Sequence, residues 1–192
     1  MNRRTMKRPT PRTLAALLVA VLAATTWAVP GFAAEAPEVT TAPTTAAQTT
    51  TVLLVRHAER QGQEDALSPL GEARAEALAH VAAAAGVDAV YHSATGRTRE
   101  TARPLAERLG ITPVEHPPLA VGPLAERIRA ENAGQVVLVV GHSNTVPAIV
   151  EALGGPAMPD LGHDAYDDLF VVTLGTEGTA NALHLQFGAE TP

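Results

Sequence analysis

The sequence predicts an α/β domain in three layers, a mostly parallel sheet with helices on both faces. Three observations carry this reading. Apolar runs alternate with stretches of helical pattern from Thr51 to Phe187. The runs TVLLV (51–55), VDAVY (87–91) and VVLVV (136–140) are apolar and β-branched, as strands covered on both faces are. Glycines stand where the helical stretches stop, at Gly86, Gly110 and Gly154-Gly155. Strands that alternate with helices require crossover connections, and those produce parallel neighbours.

Taken in order, TVLLV is the first strand. Ser68 and Pro69 open a helix, because serine caps and proline suits the first helical position. That helix, LGEARAEALAHVAAAA, runs to Gly86, and VDAVYHS follows as a strand. Thr98–Leu109 reads as the second helix, with Arg99, Glu100, Arg103, Glu107 and Arg108 off its apolar side. ITPVE is a short strand, 123–133 a third helix, and QVVLVV (135–140) the most hydrophobic strand. A helix over 145–153 and two late strands, LFVVTL and ALHLQF, complete the domain, placed at residues 51–192.

The first fifty residues are of another kind. A basic stretch (1–13), a short apolar run (14–24) and small residues at Gly31 and Ala33 have the layout of a secretory signal peptide, residues 1–33. The apolar stretch is short for a membrane span of about 20 residues, so export with cleavage is expected rather than a retained anchor. Export places the mature chain in the periplasm or outside the cell. Residues 34–50, rich in Thr, Ala and Pro, read as a disordered linker. The chain has no cysteine, so disulfides and thiol chemistry are excluded. The leader holds five of the fourteen basic residues; the remainder has nine against twenty acidic, a net of −11, and no lysine. Such a surface repels nucleic acid and anionic membrane, so a bound anion has to be held by a few focused arginines.

Open sheets bind ligands beyond the carboxyl ends of their strands, and three such ends carry the chemistry. Arg56-His57 follows the first strand; HSATGRTRET, with Arg97, follows the second; GHSNT, with His142, follows the fourth and precedes a helix N-terminus. Singly, each residue reads equally well as a surface group, Arg97 for example pairing with Glu100. Together, two arginines and two histidines in an acidic chain point to one shared site. No serine stands in a G-x-S-x-G elbow, and arginines beside two histidines would repel a metal cation. Guanidinium forks match phosphoryl oxygens, and a neutral imidazole nitrogen is a nucleophile toward phosphorus.

The segments LLVRHAE, LSPLGEARAEAL, HSATGRTRETARPLAERLG and VVLVVGHSNTVPAIV resemble, in order, the histidine phosphatase (phosphoglycerate mutase-like) superfamily, with Ala58 in place of the glycine of the family's RHG. The resemblance implies a phosphoglycerate mutase-like fold with His57 as the nucleophile that becomes phosphohistidine. It makes Arg56 and Arg97 the phosphate clamps and His142 the second histidine on the phosphoryl group. Ser143 and Asn144 are expected to add polar contacts; Arg60 reads as a substrate contact or as a solvated loop charge. No metal or other cofactor is expected, and the partner is a small phosphorylated substrate; the oligomeric state is left open.

The general acid is the open position. Glu115, at the end of a strand, is the best-placed carboxylate; Glu59, Glu126, Asp164 and Asp168 are the others. Only eight residues separate Glu59 from Ser68 and seven separate Glu115 from Pro123, so an open, shallow site is expected. That favours a phosphomonoesterase over a mutase, which must retain its product. A phosphohistidine-protein phosphatase and a non-catalytic phosphate- or phospho-ligand-binding protein remain as alternatives. HDAYDDLF (163–170) is read first as a solvated turn and otherwise as the rim of the entrance.

Overall fold

A computed structural model of the chain describes residues 49–175 and 180–191. The expected signal peptide and nearly all of the linker lie outside the described residues. The elements in chain order are β1 (Thr50–Arg56), α1 (Pro69–Ala84), β2 (Ala89–Ser93), α2 (Gly96–Leu109) and β3 (Val114–His116). They continue as α3 (Val121–Glu131), β4 (Val136–Gly141), α4 (Thr145–Ala152), β5 (Asp168–Leu174) and β6 (Ala180–Gln186).

All six strands form one sheet in the order β3-β2-β4-β1-β5-β6. The first four are mutually parallel; β5 and β6 add antiparallel strands beyond β1. Alternation along the strands divides the core. Val52, Leu54, Val137 and Val139 face α3 and α4, packing with Leu124, Ile128, Ile149 and Leu153. Leu53, Val55, Leu138 and Val140 face α1 and α2, packing with Leu78, Ala82, Ala102 and Leu105. The three-layer arrangement expected from the sequence is present, and the parallel part is the part built from crossover units.

Several boundaries differ from the expected ones. β2 begins at Ala89, because the Val87 N–H still bonds back to Ala82 of α1 while the Asp88 carboxylate accepts the Val136 N–H. α3 begins at Val121 with Pro123 in its first turn, where the missing N–H is no loss. α2 begins at Gly96 rather than Thr98, for a reason that lies in another loop. β3 is displaced toward its C-terminal side and ends at His116.

The consequence for function is in the strand order. β4 lies between β1 and β2, with Arg56 in register with Gly141 and His92 with Val140. The three strand ends singled out in the sequence are therefore adjacent, about 4.8 Å from strand to strand.

Candidate functional site

His57 leaves β1 with its backbone N–H bonded to the Gly141 carbonyl, so β4 holds it in place. The ring is buried, and its Nδ1 lies 2.8 Å from the Ala58 carbonyl. A carbonyl can only accept, so Nδ1 carries the proton and Nε2 carries the lone pair. Burial, followed by the nearby Arg97, Arg56 and His142, pushes the His57 pKa down to about 3, and the backbone acceptor only partly offsets this. His57 is thus neutral, in the tautomer that a nucleophile at Nε2 requires. Ala58 is accommodated without strain. It is buried with Leu67 and Ala75, and its N–H donates to Thr101 Oγ1 at 3.0 Å.

The His142 ring stands edge-on to that of His57, with centroids 5.4 Å apart. Its Nε2 is 2.7 Å from Ser93 Oγ, and its Nδ1 is 3.3 Å from Arg97 Nη2. Guanidinium only donates, so Nδ1 accepts and the proton sits on Nε2, which donates to Ser93. Ser93 Oγ passes the direction on to Thr98 Oγ1 at 3.2 Å, and Thr98 donates to the Ser93 carbonyl at 2.6 Å. Burial, then Arg97, lowers the His142 pKa to about 4. The backbone of His142 is fixed by Thr145, whose Oγ1 accepts the His142 N–H at 2.9 Å. A Cβ at position 141 would sit 2.9 Å from that hydroxyl, so glycine there leaves room for the contact.

The two arginines are anchored on opposite sides. Arg56 Nη1 donates to the carbonyls of Gly162 (2.9 Å), His163 (2.7 Å) and Ala165 (3.2 Å). Its Nη2 reaches Tyr166 Oη at 3.3 Å, and the guanidinium stacks on the Tyr166 ring at 4.1 Å. Burial lowers its pKa. Arg97 pairs through Nη1 with Asp65 at 2.8 Å and through Nη2 with His142. In both side chains Nε is buried and has no partner in the protein. Buried polar atoms are nearly always satisfied. Among the described residues only three side-chain polar atoms are not, and two are these guanidinium nitrogens.

The expected quartet Arg56, His57, Arg97 and His142 is therefore one cluster. Arg60 is half-buried in the adjoining loop, close enough for its charge to act on Arg56. Ser143 is bonded through its carbonyl to the Leu161 N–H, and Asn144 is exposed at the start of α4 without capping it. Neither side chain makes a hydrogen bond to the cluster.

Glu115 is not in the cluster. β3 is the edge strand, with β2 and β4 between it and β1, and Glu115 is exposed and makes no hydrogen bond or ion pair to the quartet. The reason is the period-2 alternation of a strand. Its neighbour His116 turns inward instead, in register with Ser93, buried, with Nδ1 on the Pro117 carbonyl at 2.9 Å and Nε2 unpartnered. The other carboxylates are mostly engaged. Glu59 is bound by the buried Arg74 at 2.7 Å, Asp168 lies 2.6 Å from His184, and Glu126 is exposed on α3. Asp164, although 2.8 Å from His163, also acts on Arg56, and with Glu59, Tyr166 and Leu70 it lines a cleft of about 250 Å³. The segment 163–170, read first as a solvated turn, forms the rim: its carbonyls and Tyr166 seat Arg56. No group of three or more His, Asp or Glu side chains among the described residues is arranged to hold a metal ion. No helix among them is long and apolar enough to cross a membrane.

Fold and site together define an α/β protein with two arginines and two histidines, one of them a neutral buried imidazole, clustered at the carboxyl ends of parallel strands. Residues 52–120 match the family model described as histidine phosphatase superfamily (branch 1), a stretch containing Arg56, His57 and Arg97. The fold is the three-layer, phosphoglycerate mutase-like one. A structure of the protein histidine phosphatase SixA complexed with tungstate is similar with a TM-score of 0.57 at 19% identity, covering 71% of this chain and 96% of that one. A mycobacterial hydrolase is similar with a TM-score of 0.59 at 18% identity, over 74% of this chain and 100% of its own. A mycobacterial glucosyl-3-phosphoglycerate phosphatase gives 0.57 at 17% identity, over 74% and 100%. No curated protein sequence matches at a significant level.

Proposed function

We propose that the protein is a phosphomonoester hydrolase that works through a covalent phosphohistidine at His57, with arginines rather than a metal balancing the phosphoryl charge. One observation carries this: two buried guanidinium nitrogens without protein partners flank a neutral histidine whose tautomer frees Nε2. Cationic donors without partners favour an anion, and a bare imidazole nitrogen beside them favours an electrophile.

In the first step His57 Nε2 attacks phosphorus in line, the ester P–O bond breaks, and the leaving alkoxide takes a proton. In the second, water attacks the phosphohistidine, the P–N bond breaks, and inorganic phosphate departs with His57 restored. Arg56 and Arg97 neutralise the equatorial oxygens as their charge redistributes. Among the carboxylates weighed from the sequence, Asp164 is the one whose charge acts on the quartet, at Arg56, and it is the candidate proton donor; without it, esters with good leaving groups are preferred. The leader at residues 1–33 directs the enzyme out of the cytoplasm on this reading.

A panel of phosphomonoesters, run beside His57→Ala, tests the activity. Rapid quenching with a labelled substrate is expected to leave label on His57. Turnover without a labelled protein overturns the covalent route. Phosphate binding with no turnover of any ester favours the alternative, a binding protein on this scaffold; the one carboxylate bonded to the quartet among the described residues, Asp65, is engaged by Arg97 and the start of α2, which supports that alternative.

A further inference from the structure

Nothing in the sequence singles out Asp65, a carboxylate in the polar loop between β1 and α1. In the fold it makes three contacts, all to the start of α2. Oδ2 accepts the Gly96 N–H at 2.6 Å, and Oδ1 accepts the Arg97 N–H at 3.3 Å and Arg97 Nη1 at 2.8 Å. Thr95, at the N-cap position, makes no capping bond of its own and pairs with Thr98 instead. Asp65 is therefore the cap of α2, supplied from 31 residues away. Gly96 is required for this: a Cβ there would collide with the Asp65 carbonyl oxygen.

As an ion pair the contact is partly exposed, with side-chain exposures of 22% for Arg97 and 53% for Asp65, so it contributes little to stability. As a geometric device it does more. The same carboxylate grips both the backbone and the guanidinium of Arg97, and that guanidinium is the donor to His142 Nδ1. Arg97 donates both ways, to Asp65 and to His142, and from His142 the donors run on through Ser93 and Thr98 to end on backbone.

We propose that Asp65 is a positioning residue of the phosphoryl site, holding Arg97 and through it His142 in the anion-binding pose. This rests on the phosphoryl reading of the cluster. It makes a prediction opposite in sign to simple electrostatics. Removing a negative charge beside an anion site strengthens anion binding if only the field matters; it weakens binding if Asp65 orients the donors.

Titration calorimetry with inorganic phosphate separates the two. Asp65→Asn, which keeps an oxygen for the Gly96 N–H, is expected to raise the phosphate Kd about tenfold. Gly96→Ala, which displaces the loop instead, is expected to move Kd in the same direction. In an Arg97→Ala background Asp65→Asn is expected to have no further effect on Kd, whereas a general structural role would give additive losses. An unchanged or lower Kd for Asp65→Asn, or additivity in the double variant, overturns the proposal while leaving the phosphoryl site standing. Failure of the wild-type chain to bind phosphate at all overturns both.

Discussion

Arg56 and Arg97 bring the same charge to the same place and are held in opposite ways. Arg56 is buried and fixed by neutral acceptors, three backbone carbonyls and the face and hydroxyl of Tyr166. Arg97 is partly exposed and fixed by a carboxylate and an imidazole. The difference shows how one cluster can be both cationic and ordered. On the β1 side the rim loop supplies dipoles, which hold the guanidinium without cancelling its charge. On the α2 side a full negative charge supplies orientation, and part of the positive field is lost in exchange. In each case the anchored edge is Nη, and Nε has no partner in the protein.

The comparison is broken most severely at the residue both arginines serve. His57→Ala is expected to lower kcat by at least about 10⁴-fold with the fold intact by circular dichroism; substantial residual turnover would mean that the arginines flank a different nucleophile. Next come the arginines themselves. Arg97→Ala is expected to reduce kcat/KM by about 10²–10³-fold, with a stability loss of no more than about 1 kcal/mol because its ion pair is exposed. Arg56→Ala should impair kcat/KM to a similar degree and also cost about 1–2 kcal/mol in urea melts, since it strips a buried donor from three carbonyls. Equal stability losses for the two would erase the distinction.

Acid provides a smaller test. His57 and His142 have folded pKa values of about 3 and about 4, below the ordinary 6.5, chiefly because burial penalises the charged ring. The unfolded chain therefore binds more protons than the folded one between these values and 6.5, so stability falls as pH drops through that window. Thermal melts should show Tm declining from about pH 6.5 to pH 4, and declining less in His57→Ala and His142→Ala. Folded molecules should meanwhile keep a neutral His57, so kcat/KM per folded enzyme should show no acid limb near 6.5. The smallest effect is expected from Tyr166→Phe, which removes the 3.3 Å hydrogen bond to Arg56 but keeps the ring beneath it. About a threefold loss in kcat/KM is expected; a large loss would give the phenol a chemical role beyond seating Arg56.

Much of the cluster was legible because its four residues stand at the ends of recognisable strands or at the start of the helix that follows. Asp65 was not, since a carboxylate in a polar loop looks the same whether it meets water or Gly96. The start of α2 was misplaced for that reason: the cap lies in another loop rather than in the residues before the helix. Glu115 was preferred among the carboxylates because it closes the expected third strand, which in fact runs one residue further, to His116. In a strand, one residue is the difference between the two faces. β3 is a three-residue edge strand, and so short a segment buries too little to fix its own phase.

What the sequence by itself determined is the succession of strands and helices, and the placement of Arg56, His57, Arg97 and His142 at strand ends or helix starts. Those features are written in local periodicity, proline and glycine punctuation, and chain order. Only the tertiary structure decided that β4 inserts between β1 and β2, that the rim loop returns to seat Arg56, and that Asp65 crosses to α2. These are contacts between residues distant in the chain. Their stability depends on which pairings together bury the apolar faces, and no short window of sequence contains that information.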